Sequence, residues 1–69
     1  MPDPTAQARI RQAEKQLAAA QRKVDDQIRL IHRLEALGHA DGKAQQRLEA
    51  LLEALEAAQQ ELKAARGAG

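Results

Sequence analysis

Cysteine, serine and all three aromatic residues are missing from this 69-residue chain. Without cysteine there is no disulfide and no thiolate metal site. Without serine the one hydroxyl side chain is Thr5, close to the start. The lack of Trp, Tyr and Phe removes the stacking surfaces of single-strand nucleic-acid platforms and many ligand pockets. It also removes the usual anchors of a helix lying on a bilayer. No apolar run approaches the roughly 20 residues that span a membrane. Met1-Pro2-Asp3-Pro4 has neither the basic region nor the apolar core of a secretory signal. The expectation is a cytoplasmic protein without membrane contact. Proline is confined to positions 2 and 4 and glycine to 38, 42, 67 and 69, so nothing breaks a helix between Thr5 and Leu37.

What is present is Ala, Leu, Gln, Glu, Arg and Lys, the composition of long helices. The net charge is +1, too small to call for a polyanionic partner. Residues 1–38 carry seven Lys/Arg against five Asp/Glu, and residues 39–69 carry four against five, which suits antiparallel neighbours. A chain this short sits near the lower limit for a self-sufficient core.

Asp3 and Pro4 read as a helix start, with Asp3 capping and Pro4 at the first helical position; Thr5 competes as the cap. The first arm places Ile10, Ala13, Leu17, Ala20, Val24, Ile31 and Leu34 at alternating spacings of three and four. That is a heptad seam, with polar Gln27 at one inner position and Ile28 beside it. Gly38 reads as a left-handed stop and Asp41 as the cap of a second helix. The second arm continues the alternation through Ala44, Leu48, Leu51, Leu55, Ala58, Leu62 and Ala65. The predicted fold is all-α, a single antiparallel two-helix hairpin over residues 1–69, coiled-coil-like. Its helices cover about 4–37 and 43–66, with a turn at 38–42 and a frayed tail at 67–69.

Folding at this corner pairs Leu34 with Leu48, Ile31 with Leu51, Val24 with Ala58, Ala20 with Leu62 and Leu17 with Ala65. Ala6, Ile10 and Ala13 then overhang without a partner. Ile28, Leu30, Leu37 and Leu52 make an apolar face near the corner that one hairpin leaves uncovered. The expectation is a homodimer, a four-helix bundle whose interface includes Ile10, Ala13, Leu17, Ile28, Leu30, Leu37 and Leu52. The same overhang would suit a helix of another protein.

The run from Gln27 to His39, Gln-Ile-Arg-Leu-Ile-His-Arg-Leu-Glu-Ala-Leu-Gly-His, is followed by Leu51-Leu52-Glu53-Ala54-Leu55-Glu56. Together they resemble uncharacterised short helical-hairpin proteins of high-GC proteobacteria, which carry a Gly-His-Asp corner. Here Ala40 separates His39 from Asp41. The resemblance implies a bacterial helical hairpin and no particular chemistry.

Catalysis needs convergent groups in a water-excluded pocket, and two histidines without cysteine do not close a structural zinc site. No catalytic, cofactor or metal site is expected. His32 falls on the outward face, and His39 belongs to the corner, where a basic side chain can bond the last helical carbonyls. Lys15, Arg22 and Arg29 recur at sevens along the outside of the first arm. The alternative reading is therefore a small nucleic-acid-binding bundle using that basic strip. Asp25 and Asp26 interrupt it, and the pairs Asp25–Arg29 and Arg22–Asp26 offer it local roles on the helix instead.

Overall fold

The uninterrupted run after Pro4 forms a single helix, α1, over Pro4–Ala36, 33 residues long. The second helix, α2, covers Gly42–Gly67, 26 residues. The computed structural model describes residues 4–39 and 42–67, and the expected caps Asp3 and Asp41 and the end of the tail at 68–69 lie outside them. The two helices pack side by side as an all-α hairpin measuring 57 × 14 × 11 Å. The helix ends fall within a residue of those read from the sequence, and Gly67 still belongs to α2.

The end of α1 shows why the break sits where it does. Gly38 has φ of +76°, the left-handed conformation that costs glycine least. Its N–H donates to the Glu35 carbonyl at 3.0 Å, and the His39 N–H donates to the Leu34 carbonyl at 2.7 Å. This crossed pair is a Schellman cap, which satisfies carbonyls that the helix itself leaves open. It is the main-chain amide of His39, rather than the imidazole foreseen for this role, that closes the helix.

The seam is thin. Among the described residues six apolar ones are well buried, and four of them are alanines: Ala13, Ala44, Ala58 and Ala65, joined by Val24 and Leu62. Ile10, Leu17, Ile31, Leu34, Leu48, Leu51 and Leu55 follow the expected three-four spacing but are only half-buried, as is Ile28 beside the seam. Burying such a side chain completely stabilises by about 1.5–3 kcal/mol. Each of the eight therefore leaves part of that gain unrealised in one hairpin.

The register differs from the one read across the corner. Ala13, expected on the overhang, is only 4% exposed, and it shares a groove with Ala65. Gln27 is 6% exposed and its Nε2 donates to the Ala44 carbonyl at 2.8 Å. In the expected pairing these two residues would stand far apart along the axis. The helices are thus slipped by close to one heptad, about 10 Å, and α1 overhangs less. The physical reason is that a heptad seam matches itself again after seven residues, so apolar spacing alone does not choose between the two alignments. The buried Gln27 bond does choose, because its amide needs a carbonyl at one height.

Candidate interaction surface

Heptad spacing and the observed neighbours sort the surface residues onto two edges of the seam. On one edge Glu14 of α1 reaches Arg66 of α2 at 3.8 Å, with both side chains more than half exposed. Ile28 lies fourteen residues beyond Glu14 and Leu52 fourteen before Arg66, so both belong to this edge. On the other edge Arg9, Gln16, Lys23 and Leu30 recur at sevens and line one continuous groove between the helices. Leu37 extends the same row. The apolar residues near the corner therefore do not form one wide face. Ile28 and Leu52 stand on one side of the hairpin, Leu30 and Leu37 on the other.

The groove edge is the better-formed surface. Its far section is lined by Arg9 from α1 and Glu61 from α2 over Ala13 and Ala65. Its middle section is lined by Lys23 at one end and Glu61 at the other, with Ala19, Ala20, Ala54, Ala57 and Ala58 between them. Near the corner Lys23, Asp26 and Leu30 face Arg47 and Leu51. Alanines make the floor partly because α2 carries them at the flanking positions 54 and 57. A helix with methyl groups in place of leucines lets a neighbour approach closely, since interaxial distance follows the size of the contacting side chains. Leu30, Leu37 and Leu52 are the exposed large apolar residues, at 41%, 65% and 44%.

Of the residues expected in an oligomer interface, Ala13 is used inside the hairpin. Ile10 and Leu17 are half-buried in the seam and Ile28 at its edge, while Leu30, Leu37 and Leu52 remain open. The basic strip Lys15, Arg22 and Arg29 is exposed along α1, as its spacing indicated. Asp25 and Asp26 are also exposed, and neither the Asp25–Arg29 nor the Arg22–Asp26 pair closes to 4 Å. His32 and His39 are exposed as well. Among the described residues no three His, Cys, Asp or Glu side chains gather as a metal site would require. No described helix is long and apolar enough to cross a membrane.

The groove charges were the part missed in the sequence. Their signal was there: Arg9, Lys23 and Leu30 share a heptad position with Gln16, and Arg47, Ala54 and Glu61 share the matching position on α2. No model of a known protein family, no curated protein and no solved structure matches the chain.

Proposed function

We propose that this hairpin is a structural or protein-interaction module that works by self-association, as a homodimeric four-helix bundle in the cytoplasm of a bacterium. The observation that supports it is the half-buried state of eight large residues in or beside the seam together with three exposed leucines. A two-helix layer has no second layer to cover these side chains, and short chains commonly recover the deficit through a partner subunit. A second hairpin supplies that layer with the same kind of surface. The alternative occupant is a helix of another protein laid along the same side chains. The exposed strip of Lys15, Arg22 and Arg29 would serve a nucleic-acid reading, but the unneutralised Asp25 and Asp26 beside it weaken attraction to phosphates.

Association makes thermal stability depend on protein concentration. Melts followed by circular dichroism at 222 nm should move to higher temperature by several degrees over about a hundredfold rise in concentration. Superimposable melts over that range would defeat self-association.

A further inference from the structure

The two walls of the alanine groove carry charges of both signs, and near the corner opposite charges stand at matching heights. In the far and middle sections α1 presents Arg9 and Lys23, fourteen residues apart, and Glu61 of α2 falls between them along the axis. Near the corner the signs exchange, with Asp26 on α1 and Arg47 on α2. Among the described residues none of these five is ion-paired within its own chain. The walls face outward together, so their charges flank the groove and do not bridge it.

From this we infer that the groove edge is the homodimer interface, occupied by a second copy related by a two-fold axis running along the groove. The inference rests on the self-association proposed above and names its face and its polarity. Rotation about that axis lays α1 of one copy on α2 of the other, with both corners at the same end. Each wall then meets the opposite wall of its partner. Asp26 approaches the partner's Arg47, a contact that occurs twice, and the partner's Glu61 falls between Arg9 and Lys23 along the axis. Every neighbouring helix pair in the bundle runs antiparallel, which also sets the helix dipoles favourably. The alanine floors allow close approach, and the two copies of Leu37 come together at the corner end. The opposite edge, with Ile28, Leu52 and the Glu14–Arg66 bridge, faces solvent.

A charge-reversal cycle read by sedimentation equilibrium tests this. All the altered positions are exposed, and circular dichroism establishes that each variant keeps its helix content. Arg47→Glu and Asp26→Arg each set two like-charged contacts across the axis and should weaken the dimer by on the order of tenfold or more. The double variant should recover most of that loss, because the pairs return with their signs exchanged. Leu52→Glu, on the other edge, should leave the dissociation constant within about threefold of the wild type. A wild-type dimer that ignores both reversals, or that Leu52→Glu dissociates, overturns the groove assignment while self-association stands. A wild-type monomer overturns both.

Discussion

Leu62→Asp should abolish the cooperative unfolding of the hairpin. Leu62 is 7% exposed, and with Val24 it is one of two large side chains in the well-buried set. Truncating a buried leucine costs about 2–5 kcal/mol. An unpaired carboxylate in its place adds a desolvation penalty of several kcal/mol more. Domains of ordinary stability have about 5–15 kcal/mol in total, and a seam built on alanine belongs at the low end. The helical propensity of the separate arms remains after the seam is lost, so residual ellipticity is not the decisive reading. The expected result is a broad, non-cooperative melt with reduced ellipticity at 222 nm. A sharp melt near the wild-type temperature would show that Leu62 does not lie in the seam.

Ala13→Glu separates the two registers. If Ala13 were on an unpaired overhang, a glutamate there would be nearly neutral, as at other exposed positions of a helix interior. In the structure it is the most buried of the described residues, at 4% exposure, and shares its groove with Ala65. A larger charged side chain must then push the helices apart or leave its carboxylate dry, at a cost of about 2–4 kcal/mol. The melting temperature should fall by about 10 °C or more. Ala18→Glu, five residues away at an exposed position outside the groove, should change it by no more than a few degrees. Equal effects of the two substitutions would return the alignment to the longer overhang.

The architecture was legible because several independent signals agreed on it. Pro4 opens α1, Gly38 closes it, and between them lies a run with a strict apolar period. The burial of Ala13, Val24, Ala44, Ala58, Leu62 and Ala65 falls on that period. The alignment was not legible for a related reason: strict periodicity makes neighbouring registers equally apolar. Gln27 held the missing information. It looked like an interruption that Ile28 compensated, yet it is buried and tied to the Ala44 carbonyl. A polar residue at an inner heptad position is a known way to fix register at some cost in stability, and at position 27 that role explains its burial.

The candidate surface was half legible. Leu30, Leu37 and Leu52 were correctly read as exposed, because none of them falls on the three-four seam. Grouping them into one face failed, since residues on either side of a seam lie on opposite edges of a two-helix layer. The charges lining the groove went unread because each looks like an ordinary solvated residue on its own helix. Their complementarity exists only between walls, at heights that the register sets. A slip of one heptad would set Glu61 and Arg47 against different partners. The surface therefore follows from the Gln27 bond as much as from the surface residues themselves.

One hairpin leaves its seam incompletely covered, and the proposed second copy would complete it. Sedimentation equilibrium measures this most directly, followed by interference optics because the chain has no Trp or Tyr. The account predicts a mass approaching twice the 7.5 kDa of the chain as concentration rises, falling toward one chain on dilution. A mass of a single chain at every concentration would contradict it.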